Sequence, residues 1–226
     1  MSADIHRLDA GEGGAPAPLP AERSVYLDAY LAPFRRWLDR DTVTEIMVNR
    51  PGEVWIEDAA QPGMQRIETP EIDDRLVQRL AEQVARVSHQ GINREHPLLG
   101  ATLPDGARVQ FCGPPASRKH WTMAIRRHRR LDLPLDAYDT GPLAGEMQFD
   151  LPDPQTQPIA FLRAAIRARR TILISGGTST GKTTFLNAML GEIPKAERVV
   201  LVEDTPELKF PGENAVGLVA VKGELG

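Results

Sequence analysis

Apolar residues recur at helical spacing between Glu71 and His89. Ile72, Leu76, Leu80, Val84 and Val87 form one stripe, and the charged residues fall on the opposite face. This pattern predicts the best-defined helix of the first half. An earlier amphipathic helix is predicted over Ser24 to Asp39, with Leu27, Leu31, Phe34 and Leu38 on one face. Pro33 breaks or kinks it, or opens a second helix. Thr44 to Asn49 and Val54 to Glu57 read as strands, with Pro51-Gly52 suited to the centre of a type II turn. Pro97 to Phe111 reads as a hairpin turning at Pro104-Asp105-Gly106, and Trp121 to Arg126 as a further strand. Together these elements predict an α+β domain over residues 24–130.

The pattern then changes. Residues 131–158 are rich in Pro, Gly and Asp and read as a linker. Ile159 to Arg170 reads as a helix with Ile159, Leu162 and Ile166 inward. Arg163, Arg167 and Arg170 share another face, either solvated or in contact with a neighbouring subunit. Ile172 to Ile174 is a short apolar run suited to a strand buried on both faces. Phe185, Leu186, Met189 and Leu190 follow at helical spacing, with Gly191 as a cap and Pro194 beyond it. Val199 to Val202 is a second apolar strand. Strand, helix and strand over 159–226 predict an α/β unit. Residues 1–23 carry GEGGAPAPLP without periodicity and are expected to be a disordered tail.

Between the expected strand and helix lies the sharpest motif of the chain. Gly176 is followed by four residues, then Gly181, Lys182 and Thr183, the phosphate-binding pattern G-x-x-x-x-G-K-[ST]. Glycines let backbone N–H groups approach phosphate oxygens closely. A helix N-terminus adds unpaired donors and about half a positive charge. Gly176, Gly177, Thr178, Ser179, Thr180, Gly181, Lys182, Thr183 and Thr184 are therefore the expected nucleotide-binding residues. Lys182 is aimed at the β and γ phosphates, and Thr183 is a ligand for Mg²⁺. ATP and Mg²⁺ are the expected cofactors.

Glu203 and Asp204 stand at the C-terminal end of the second apolar strand. Ligands of open α/β sheets bind at the carboxyl ends of strands. A carboxylate pair there can hold Mg²⁺ or its water shell, or accept a proton from an attacking water.

Composition changes this picture little. The 226 residues are 41% apolar and 26% charged, with a net charge of −4. No global charge draws the chain to nucleic acid, and no direct nucleic-acid binding is indicated. One cysteine, Cys112, fits a reducing compartment and reads as a small core hydrophobe. No apolar run reaches membrane-span length, and no signal-peptide core stands at the N-terminus. The expected location is cytoplasmic, with peripheral membrane attachment left open. The five histidines show no metal-ligand spacing.

GGTSTGKTTFLNAML followed by LVEDTPEL resembles the ATPases of the type II/type IV secretion superfamily. EIMVNRPGEVWIED, LPDGARVQFCGPP and WTMAIRR resemble the N-terminal domain of the branch that powers type IV secretion and conjugal DNA transfer. The resemblance runs from about Tyr26 to the end of the chain. It implies an N-terminal α+β domain followed by a RecA-like ATPase domain. It also implies a hexameric ring with nucleotide between the domains. The ring sits at the cytoplasmic side of the inner membrane, where it acts with secretion-channel components. By the same resemblance Lys182 and Thr183 bind phosphate and Mg²⁺, and Glu203 is the acidic-box carboxylate near metal and water. Arg108 and Arg126 of the first domain reach the phosphates. Delivered from a mobile domain, such guanidiniums can also neutralise transition-state charge.

The family's Walker B segment and histidine box are not found before Gly226. The chain is thus expected to be a fragment holding the first part of the ATPase domain, able to bind phosphate without turnover. Two other readings stay open: a type II secretion or type IV pilus motor, and a non-hydrolysing interaction module that senses nucleotide. A small-molecule kinase has no visible acceptor site.

Overall fold

The computed structural model describes residues 24–127 and 151–221. The expected tail, most of the expected linker and residues 222–226 lie outside the described residues. The first segment opens with α1 (Ser24–Leu31), a 3-10 turn (Ala32–Phe34) and α2 (Arg35–Leu38). Pro33 lies in the first turn of the 3-10 segment, where a missing N–H leaves no hydrogen bond unmade. Leu27, Leu31, Phe34, Trp37 and Leu38 are all buried.

Six strands follow: β1 (Val43–Val48), β2 (Gly52–Asp58), β3 (Met64–Thr69), β4 (Leu98–Thr102), β5 (Arg108–Cys112) and β6 (Thr122–Arg126). They form one antiparallel sheet in the order β3-β2-β1-β6-β5-β4. Gly52 has φ +83°, as the third position of a type II turn demands. The long helix α3 (Asp74–Val87) packs its buried residues into the core on one face of the sheet. Asp73 caps it by accepting the Leu76 N–H at 2.7 Å. Ile72 and Val77 flank the cap in the positions of a hydrophobic staple, and both are buried.

Side chains alternate between the two faces of the sheet. Ile46, Val48, Val54, Ile56, Val109, Phe111, Met123 and Ile125 point to one face and join α1 and α3 in the core. Strand β3 has no counterpart in the hydrophobic pattern. Only Thr69 in it is buried, so it shows no apolar alternation.

The second segment holds α4 (Pro158–Arg167), α5 (Lys182–Leu190), β7 (Val199–Glu203) and β8 (Ala215–Val219), with β7 and β8 parallel. Two expectations are corrected here. Ile172 to Ile174 is not a strand, because it finds no ladder partner among the described residues. Ile172 and Ile174 line a 470 Å³ apolar cleft with Leu186 and Met189, while Leu173 is 91% exposed. Ile159 is not inward either: it is 57% exposed, and Ala165 is the buried residue of α4.

The second segment meets the sheet face opposite the helices. Asn49 Nδ2 donates to Asn214 Oδ1 at 2.9 Å, and Arg198 donates to the same oxygen at 3.1 Å and to Asn49 Oδ1 at 2.9 Å. Burial lowers the Arg198 guanidinium below its ordinary value, and the nearby Glu45 charge opposes the fall. Arg66 pairs with Glu213 at 3.2 Å.

Candidate functional site: a phosphate loop and an acidic strand end

The loop before α5 is set by backbone geometry. Gly181, the residue before the helix, has φ +84°, a conformation that side chains disfavour. A Cβ on Gly176 would stand 2.8 Å from Thr180 Oγ1, so the loop closes over this glycine. Thr180 Oγ1 donates to the Gly177 carbonyl at 2.9 Å, and Lys182 Nζ donates to the same carbonyl. The first α-helical bond runs from Phe185 N–H to the Gly181 carbonyl. The N–H groups of Lys182, Thr183 and Thr184 thus stand at the open end of the helix. Thr183 is exposed, and its hydroxyl has no partner among the described residues.

The acidic pair divides. Asp204 is exposed and carries no ion pair among the described residues. The Glu203 side chain is only 4% exposed. One of its oxygens accepts the N–H groups of Glu207 and Leu208, both at 2.7 Å, and the other pairs with Arg118. Asn187 of α5 ties this segment to the loop helix. It donates to the Glu207 carbonyl at 3.2 Å and accepts the Lys209 N–H at 2.7 Å.

Arg108 and Arg126 are directly opposed across β5 and β6, and Arg126 is also opposite Glu45 across β1 and β6. Both arginines therefore share the sheet face of Glu45, Met47 and Asn49, the face that the second segment meets. Both are exposed. With Arg127, Arg126 lines a polar pocket of about 430 Å³.

A family profile described as "Type II/IV secretion system protein" matches residues 28–225. The chain belongs to the type II/IV secretion system protein family. Its relatives lie on the type IV branch. It is 39% identical over 211 residues to a "Type IV secretion system protein PtlH homolog" of Bordetella bronchiseptica, covering 88% of this chain and 61% of that protein. It is 31% identical over 217 residues to a "Type IV secretion system protein VirB11" of Brucella suis, covering 87% and 57%. The chain thus spans about three fifths of the length of these relatives. Its structure also resembles that of the VirB11 ATPase from the Brucella suis type IV secretion system, solved in complex with sulphate. The TM-score is 0.75 at 32% identity, over 88% of this chain and 62% of that one.

For this member of the type II/IV secretion family, the structure brings the expected loop residues together at one helix end. It joins them through Asn187 to the segment after Glu203. Lys182 makes no direct bond to Glu203. Sequence reasoning missed Arg118. It lies 85 positions before Glu203, and no local pattern marks it.

Proposed function

We propose that the protein is the nucleotide-binding part of a hexameric ATPase that energises a type IV secretion or conjugal transfer channel at the cytoplasmic face of the inner membrane. In this reading residues 24–130 form the first domain, 131–158 the linker and 159–226 the first part of the ATPase domain. The observation that carries the reading is the loop Gly176 to Thr184 at the N-terminus of α5, with its helix-end N–H groups unpaired and Lys182 Nζ folded onto the Gly177 carbonyl of the same loop.

The residues fit a magnesium-bound polyphosphate. Thr183 offers a free hydroxyl and Asp204 an exposed carboxylate, both hard oxygen donors of the kind Mg²⁺ takes. When bound, the ion supplies charge neutralisation at the phosphate oxygens. Lys182 exchanges its internal carbonyl partner for phosphate oxygens. The backbone N–H groups of the loop hold the phosphates in place. Glu203 orients water, and Arg108 and Arg126 offer two guanidiniums to the phosphate tail from the facing domain.

The test is titration of the purified protein with a fluorescent ATP analogue. Wild type binds, and Lys182→Ala loses at least about tenfold in affinity. Equal affinity in the two proteins would refute nucleotide binding at this loop. A nucleotide-sensing module without turnover is a second reading, favoured by the saturation of Glu203 by Arg118 and two N–H groups. Phosphate release under saturating ATP separates the two.

A further inference from the structure

The acidic strand end is reached from the first domain by a side chain that the phosphate loop does not require. Residues 116–118, between β5 and β6, add to the free edge of β8. Val219 N–H donates to the Ala116 carbonyl at 2.7 Å, and Arg118 N–H donates to the Gly217 carbonyl at 3.0 Å. Ser117 and Leu218 form the antiparallel bridge between them. β8 therefore has β7 on one side and a piece of the first domain on the other. From this edge the Arg118 side chain crosses over Gly217, where a Cβ would stand 2.4 Å from both Cδ and Nε. It then reaches Glu203 at the end of β7, and donates to the Leu208 carbonyl at 3.0 Å.

We propose that Arg118 is a positioning residue for Glu203, and that it makes access to this carboxylate depend on where the first domain sits. Three observations carry this. The guanidinium lies on the buried carboxylate, so it satisfies an oxygen that would otherwise face metal or water. Its path is open only because residue 217 is glycine. Its backbone is hydrogen-bonded to the edge of the strand beside the one ending in Glu203. Withdrawal of the 116–118 segment would take guanidinium and edge pairing away together. Glu203 would keep only its two backbone donors and have one oxygen free. The inference rests on the nucleotide reading above, in which Glu203 serves the metal and water side of the phosphates.

The experiment measures the Mg²⁺ concentration that half-saturates tight binding of the fluorescent ATP analogue to the purified protein. It also measures affinity without Mg²⁺. Arg118→Gln is expected to leave the Mg²⁺-free affinity within twofold and to lower the Mg²⁺ midpoint about fivefold, because a competing cation is gone. Arg118→Lys, which keeps the charge, stays near wild type. Gly217→Ala displaces the side chain without removing any charge, and should move the midpoint in the same direction as Arg118→Gln. In a Glu203→Gln background the effect of Arg118→Gln shrinks, since coupled residues are not additive. An unchanged midpoint in Arg118→Gln overturns the proposal. So does an equal loss of affinity with and without Mg²⁺, which would mark a purely structural role. If instead Lys182→Ala binds as wild type does, the nucleotide reading itself fails and the proposal falls with it.

Discussion

Arg108 and Arg126 face each other directly across neighbouring antiparallel strands. Glu45, 3.8 Å from Arg126, is the one carboxylate within ion-pair reach of either among the described residues. Like charges placed opposite one another in a sheet destabilise it by roughly 0.2–1 kcal/mol. A pair of this kind has excess positive charge to offer an anion. We expect Arg108→Ala and Arg126→Ala each to weaken polyphosphate binding while leaving the melting temperature level or slightly raised. The double variant should lose less than the sum of the singles, since both guanidiniums serve one anion. Calorimetric titration and thermal melts on the four proteins check this. A clear drop in melting temperature would mean that the pair is structural.

The joint between the two segments depends on Asn214, which is fully buried. Its oxygen accepts from both Asn49 and Arg198. Asn214→Ala leaves the Asn49 amide without its partner and the half-buried Arg198 guanidinium with one acceptor fewer. The expected cost is about 2 kcal/mol. It should appear as an earlier denaturant transition of the 151–221 side. The first segment has its own core, and its unfolding should stay where it was. Segment-resolved hydrogen exchange distinguishes the two, and uniform loss of protection would contradict the prediction.

Cys112 is buried, and burial pushes its thiol up to about 11, against a small opposing hydrogen bond with Thr122. At pH 8 the folded chain then holds about a hundredth of the thiolate of an unfolded one, taking the ordinary value as 9.0. Labelling by a thiol-disulfide reagent should be at least about tenfold slower in the native protein than in guanidinium, since the higher-pKa thiolate is itself more nucleophilic and recovers part of the difference. Rapid native labelling would show that the β5 end opens locally.

Local patterns made some parts of this structure legible and left others hidden. The stripe of α3 and the Pro104-Asp105-Gly106 turn are properties of a few adjacent residues, and the structure places both where the pattern does. So is the glycine loop, whose spacing is a steric requirement. β3 escaped because it is half-exposed: it is held by backbone ladder bonds to β2, and Ile67 is its one side chain packed on the hydrophobic core. β8 escaped for a different reason: its neighbours are β7 and the 116–118 segment, and nothing within AVGLV marks either. Ile172 to Ile174 carries a strand-like composition, yet composition cannot supply a ladder partner. Arg118 on Glu203 is a purely tertiary relationship. The residues are far apart in sequence, and Arg118 looks like an ordinary exposed charge when read alone.

Glu53 is 1% exposed on the sheet face toward the second segment. Burial pushes its carboxyl up, but hydrogen bonds from Arg50, Trp55 and Arg66 outweigh this and hold it below the ordinary value of 4.5. The Arg50 and Arg66 bonds are 2.9 and 2.7 Å long, and that from Trp55 Nε1 is 3.0 Å. In the folded chain the group is therefore a weaker proton acceptor than in the unfolded one. Its stabilisation is complete above about pH 4.5 and is lost as pH falls through the lower folded value. Glu53→Gln keeps the shape but removes the charge that three donors address. It should cost about 2 kcal/mol at pH 7, with the partial exposure of both arginines keeping the figure modest. The cost should shrink as the pH drops from 4.5 toward the lower folded value, because the wild-type carboxyl is protonated first in the unfolded chain and only below that value in the folded one. Urea midpoints for both proteins between neutral pH and about pH 3.5 give the comparison. Parallel curves across that range would show that the Glu53 charge contributes nothing to the fold.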